Sequence, residues 1–594
     1  MRKSQLLSLL LVTLPIAVAP SLVAAKPATV ATLTTQYLEG LFRAKPHLAT
    51  FMGEHRYDGK LPDHKPAALQ ARERELVALQ KAVAAVATAN LDQEIDKQIM
   101  SDGIALELLY LREIRDWESD PRLNDSFPVY DPREIVAGRL GDIIHGDFAP
   151  EPARRKSVTA QLLALPGYLA VESKALANGK RHPSKEVFEQ AVKGNQGRIE
   201  FFESELKEFT ASDKAGEKAR VAAVAALKKY QIFLETTLVK RADGDWRLGA
   251  ELYAKKFPLA LQTALTTAEV VVRADKAFVA AKRGLYDVAR KLHGQLWPKE
   301  PIPAANADAA TQKKTLDRVK DELAKDHAKP AELVASHGSN LDALRAFIVK
   351  HDLLALPPKE TLTVEPMPAF KRGSSAAEYL APGILLKLPT WRSTYYVDPI
   401  DPTWDKDRVE SYLRGQNTYE VQLVAAHEAY PGHHTQFSYA RKDLNALRAV
   451  LWNAAMVEGW AVYAEGQMVQ LGWGDKLNDR FRFYDLRGQM IVATNVLLDI
   501  KLQSGQMTDT QAVQFMVDEG FQERAMAEKK LLRAKLDSTQ LAQYFMGLSE
   551  IDDLERDYRK QVGTKFSQRT FNEALIGHGS VAVRFLRRYL LDAK

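Results

Sequence analysis

The segment HEAYPGHH, residues 427 to 434, holds three histidines and a glutamate. Thirteen histidines in 594 residues predict about 0.2 in any window of eight, so this clustering is not a composition effect. Neutral imidazole and carboxylate are the ligands zinc takes, and a glutamate beside a ligand is placed to accept a proton from water. In the common zinc-hydrolase spacing, H-E-x-x-H, two histidines one helical turn apart grip the ion. Here the fifth position is Pro431. Proline has no N–H for the carbonyl of His427, and Gly432 loosens the chain further, which argues against a straight helix through 431. In a straight helix His427 and His434 would share a face but lie about 10.5 Å apart along the axis, too far for one small ion. A bulge at Pro431 and Gly432 brings a histidine back. His433 is the favoured second ligand, and His434 is the alternative ligand or a hydrogen-bond partner of the ligands.

A catalytic zinc commonly takes three protein ligands and leaves a position for water. Glu458 is the candidate third ligand: it stands in WNAAMVEGWAVYAEG, an otherwise apolar helical stretch in which a lone acid needs a partner. Glu465, seven residues on, falls on the same face and is placed to hold a ligating histidine in orientation. Tyr395, Tyr396, Tyr544 and His578 are candidate donors to the oxyanion of a tetrahedral intermediate. Arg487 and Arg584 are candidates for gripping a peptide's terminal carboxylate. All six are residue types that also serve ordinary cores and helix ends.

The elements that must position these groups are mostly helical. From about Ala31 to Asp352, apolar residues recur at three and four with charges between them, as in KARVAAVAALKKYQIFLETTLVKR. A Pro-rich stretch, ALPPKETLTVEPMPAFKRGSS, leads into EYLAPGILLKLPTWRSTYYVDPI, whose β-branched and aromatic runs are the best strand candidates. Helices resume from Arg408 almost to Lys594, with breaks at QLGWGD and SGQMTD. The expected division is an N-terminal helical lobe, 26–355, and a C-terminal metal-binding lobe, 356–594, within one continuous domain of about 30–590.

Arg2 and Lys3 precede an apolar run that carries Pro15 and Pro20 and ends in Val23-Ala24-Ala25. This is the pattern of a cleaved signal peptide, residues 1–25, and the run is too short and interrupted to anchor a mature chain in a membrane. A periplasmic or secreted location follows as an expectation. Cysteine is absent, which excludes disulfides, thiolate ligands and a lipid anchor on cysteine in this sequence. The net charge of +6, or +4 without Arg2 and Lys3, is spread along the chain, so nucleic acid is not an expected partner.

With these residues in view, the chain resembles the bacterial domain-of-unknown-function 885 family, which is grouped with zincin-like metallopeptidases and is distantly similar to the angiotensin-converting-enzyme and carboxypeptidase Taq types. The resemblance runs nearly full length, through PHLATFMGEHRYDG, STYYVDP, HEAYPGHHTQ, EGWAVYAEG, DSTQLAQYFMG and FNEALIGHGS. It implies a mainly α, two-lobed, zincin-like fold with a small β element and a deep central cleft. It also implies Zn2+ at His427, His433 and Glu458, with Glu428 as general base. Gln503 and Asn572 stand where such proteins often show histidine. The expected activity is hydrolysis of short peptides; the rival is a non-catalytic periplasmic peptide-binding protein with a structural or lost metal site.

Overall fold

Helix-forming periodicity and well-made helix ends account for most of the architecture. The computed structural model describes residues 28–592 apart from 126, 128–132, 359, 369–371, 373–374, 389–390, 443 and 523; the expected signal peptide, 1–25, lies outside the described residues. The fold is mainly helical with a small three-stranded sheet. Among the helices are α1 (Leu91–Leu109), α2 (Glu151–Asn178), α3 (Lys214–Thr236) and α4 (Thr267–Leu296). The last shows why such segments fold locally. Thr266 and Glu269 form a reciprocal capping box at its start, and Val270, Ala274, Phe278, Ala281, Leu285, Ala289 and Leu292 place one buried stripe along it.

The sheet forms where the strand candidates stood, from β1 (Glu360–Pro366), β2 (Ala377–Leu380) and β3 (Trp391–Val397). β3 is central, parallel to β1 and antiparallel to β2. Trp391, Ser393, Tyr395 and Val397 of β3 are buried in strict alternation, so one face of the sheet lies against the protein interior.

Beyond the sheet come α5 (Thr418–Glu428), α6 (His433–Ala440), α7 (Ala454–Gln470), α8 (Asn478–Gln503), α9 (Arg524–Leu536) and α10 (Gln543–Val562). This half breaks more often than its two glycine-marked loops predict, because asparagines at 445 and 453 cap new helix starts. Helices α7 and α10 touch backbone to backbone. A Cβ on Gly459 would lie 2.4 Å from the Cα of Gly547, and one on Gly547 would lie 1.7 Å from the carbonyl oxygen of Ala455. Only glycine permits that approach.

The largest apolar cluster joins residues between Val30 and Phe127 to residues between Tyr253 and Leu586, so the boundary drawn at 355 runs through it. A separate cluster, from Leu123 to Leu238, includes the α2–α3 pair.

Candidate metal centre

Helix α5 brings His427 and Glu428 to its last turn. It starts on Asn417, whose side-chain oxygen accepts from the N–H groups of Tyr419 and Glu420, and it carries a buried face of Tyr419, Leu423, Ala425 and Ala426. The chain then ends the helix rather than bulging within it. Ala429 still bonds the carbonyl of Ala425, but the N–H of Gly432 reaches the carbonyl of Ala426, and α6 begins at His433. A Cβ on Gly432 would sit 1.7 Å from the carbonyl oxygen of His427, so glycine is required by crowding. From α7, the Trp460 indole N–H donates to the carbonyl of Pro431 at 3.1 Å and pins the turn.

Helix α7 supplies the acid. Glu458 Oε2 lies 3.4 Å from His427 Nε2 and 3.7 Å from His433 Nε2, and the two rings meet edge to face at 4.7 Å. One donor atom from each residue falls within 4.8 Å of the others, the one such group among the described residues. Tetrahedral ligands held about 2.0–2.1 Å from zinc are themselves about 3.3–3.4 Å apart. The donor set and its spacing therefore fit the ion. Glu465 Oε1 lies 2.5 Å from His427 Nδ1, so that nitrogen carries the proton and Nε2 is left to ligate. Nδ1 of His433 is buried and has no hydrogen-bond partner among the described residues.

The electrostatics are those of a tightly coupled buried group. Burial alone would raise the pKa of Glu458, but hydrogen bonds to His427 and His433 and their charge hold it well below the usual carboxylate range. Burial opposes charge on His427, and its bonds to Glu458 and Glu465 outweigh that and raise its pKa. For Glu428, burial raises the pKa, offset in part by the two histidines. Its Oε2 accepts the backbone N–H of Tyr379, on edge strand β2, at 2.9 Å.

The neighbouring histidine does something else. His434 is fully buried and bonds through Nε2 to Glu360 of β1, which also accepts from the Tyr430 hydroxyl and from Arg345 Nη1 at 2.8 Å. Burial works against the Glu360 charge, yet these donors, His434 foremost, lower its pKa to about 2. His434 is thus engaged away from Glu458, and the group that gathers there contains His433.

Of the other candidates, Tyr395 is committed elsewhere. Gln416 Oε1 lies 3.0 Å from His337 Nε2, so Nδ1 accepts from the Tyr395 hydroxyl at 2.6 Å. Tyr396 pairs with Glu378 across the sheet and so points to the face opposite Tyr395. His578 stacks on Tyr589 at 3.8 Å, and Arg584 pairs with Asp102. Tyr544 faces Arg533 of α9, and Arg487 Nη1 donates to Glu420 at 2.6 Å. Gln503 joins the Leu248 N–H to the Ala534 carbonyl, while Asn572 bonds Gln467 and the Leu353 carbonyl. Both amides are structural braces. Sequence reasoning missed Glu360 and Tyr379, placed by sheet strands, and His337, placed by the helix Leu333–Gly338 against Tyr395; none carries a local motif.

Among curated proteins none matches the chain. A solved structure of a candidate lipoprotein of unknown function from Shewanella oneidensis is similar, with a TM-score of 0.80 and 27% identity, covering 95% of this chain and 100% of that one. Another, of a candidate lipoprotein from Colwellia psychrerythraea, has a TM-score of 0.74 at 15% identity, covering 95% and 98%. Residues 46–590 match the family described as bacterial protein of unknown function, DUF885, and the chain belongs to that family.

Proposed function

We propose that the protein is a zinc-dependent metallopeptidase acting on short peptides. One observation carries this reading: His427, His433 and Glu458 converge at zinc-ligand spacing with the Glu428 carboxylate beside them. When bound, zinc supplies a Lewis acid that makes water acidic near neutral pH. Glu458 and the two Nε2 atoms would hold the ion, and Glu465 keeps His427 in the tautomer that can ligate. Glu428 is anchored through Oε2 by the Tyr379 N–H, which leaves Oε1 to take a proton from water and hand it to the departing amine. Addition of the water oxygen to the amide carbon with loss of the C–N bond would give one acid and one amine, the amine leaving with the proton that Glu428 carries. In this reading the two helical lobes of a zincin-like fold flank a deep cleft that admits a flexible peptide and excludes folded proteins.

The protein is read as exported. The two similar structures are described as candidate lipoproteins, and no described helix is long and apolar enough to cross a membrane. The rival, a peptide-binding protein without catalysis, draws on Gln503 and Asn572.

Elemental analysis of the purified protein beside His427→Ala and Glu458→Gln, with a quenched short-peptide library on wild type and Glu428→Gln, decides between them. About one zinc per chain, lost from the ligand variants, with cleavage abolished and zinc kept in Glu428→Gln, supports the peptidase. Absence of stoichiometric metal after reconstitution overturns it in favour of the binding protein.

A further inference from the structure

A cavity of about 480 Å³ lies beside the metal centre, large enough to take a bulky side chain or a small ligand. The elements that build the centre continue into its walls. Phe437 stands one helical turn, about 6 Å, beyond His433 on α6, lines the cavity, and has its ring 6.5 Å from the His433 ring. The same ring stacks at 5.9 Å on that of Tyr379, whose N–H holds Glu428. Trp452 immediately precedes Asn453, the cap of α7 and so of the helix that carries Glu458, and it meets Phe437 edge to face at 6.0 Å. Ile384 adds a wall from the segment that follows β2. Phe437 is therefore shared between the two sites: it touches a metal-binding histidine and it bounds the cavity.

The motif FNEALIGHGS contributes nothing to the metal centre, but its end, Gly577 to Ser580, is part of this lining. The Asn453 N–H donates to the Ser580 carbonyl at 2.7 Å and fastens that loop to the start of α7. Charge in the lining is already answered. Arg448 donates to Asp96 through Nε at 2.6 Å and to Asp92 through Nη2 at 3.0 Å, and Asp92 also accepts from the Tyr589 hydroxyl. Burial, helped by the Arg448 charge, lowers the pKa of His578 and leaves that ring neutral at pH 7. Selection by a free charge is thus not what the cavity offers. It offers the rings of Phe437 and Trp452, with space kept open by the small side chains of Ala440 and Ala449. An aromatic side chain gains most from such walls, because ring pairs add to the burial of apolar area.

We infer that this cavity receives an aromatic side chain of the bound peptide, close to the scissile bond, and so selects which short peptides are cut. Its part in cleavage rests on the peptidase reading; its occupation by an aromatic side chain does not.

The test uses Glu428→Gln protein supplied with zinc, and acetylated, amidated pentapeptides of alanine whose central residue is Phe, Leu, Arg, Glu or Ala, measured by calorimetry. The Phe peptide is expected to bind about ten-fold or more tighter than the all-alanine peptide, and about three-fold or more tighter than the other three. Ala449→Phe, which fills the cavity, and Trp452→Leu, which removes a ring wall, each abolish that preference, with urea midpoint and zinc content reporting that the variant is folded. A peptide with p-benzoylphenylalanine at its centre, photolysed in place, labels residues 437–452 or 577–580, read by peptide mass spectrometry. Equal affinity for the Phe and Ala peptides, tighter binding of Leu, Arg or Glu, a preference that survives in a folded variant, or labelling confined to other segments overturns the assignment. An aromatic preference with labelling of the cavity, in a protein whose wild type cleaves none of these peptides, keeps the assignment and removes the peptidase; cleavage without aromatic preference does the reverse.

Discussion

His427 and His433 are six positions apart, yet their rings meet at 4.7 Å because Gly432 lies against the carbonyl of His427. That crowding joins two short helices into one corner that carries both histidines. In Gly432→Ala the new Cβ must displace backbone, and we expect a stability loss of about 2 kcal/mol or more together with loss of bound zinc. Urea unfolding and elemental analysis check both; a variant with normal zinc and unchanged midpoint contradicts the account of the turn.

The adjacent histidines separate cleanly. His433→Ala is expected to weaken zinc binding by two orders of magnitude or more. His434→Ala keeps stoichiometric zinc but loses about 2–4 kcal/mol of stability, because the buried Glu360 carboxylate loses a donor. The reverse pattern would make His434 the ligand.

Glu465→Gln keeps the site but weakens its hold on His427. Zinc affinity, measured by chelator competition, is expected to fall 10- to 100-fold. An unchanged affinity would mean that the 2.5 Å contact does not orient the ligand.

His337 gives a pH prediction. Burial lowers its pKa to about 4, with the Gln416 hydrogen bond acting in the opposite sense. The unfolded chain therefore binds the proton first. This part of the stability is complete above about pH 6.5 and is lost as pH falls from there toward 4, amounting to about 3 kcal/mol in all. Urea midpoints from pH 7 to pH 4 should fall less steeply in His337→Gln than in wild type. Parallel curves would show that His337 does not drive the loss.

The helical class, the sheet segment and the group of His427, His433 and Glu458 were legible because each leaves a local trace. Periodicity marks buried helix faces, β-branched runs between prolines mark strands, and a lone acid in an apolar helix advertises a partner. What was not legible depends on distant pairing. Nothing near Glu360 announces that a strand will carry it to His434, and nothing near Tyr379 announces that its N–H will meet Glu428. Likewise, Tyr395 looked like a free donor until sheet and helix brought His337 to it. The glycine at 432 signalled a loosened helix, and only the three-dimensional crowding revealed an end and a restart.

The largest apolar cluster closes the two ends of the chain upon each other, with Arg448 on Asp92 and Asp96 and Arg588 on Glu94 reinforcing the closure. A ribosome delivers Asp102 ahead of its partner Arg584 by 482 residues, and Glu94 ahead of its partner Arg588 by 494 residues. The stretch from Leu123 to Leu238 owns its own core and can mature early, whereas the opening helices, which pack on one another and on Ala250–Leu261, gain their ion pairs to the last helix only at the end of synthesis. Truncating the final helix, Val583–Leu591, would therefore uncover the helices Gln543–Val562 and Gln568–Gly577 on which it packs and, at the same stroke, release the ion pairs that tie it to Glu94 and Asp102 near the beginning of the protein.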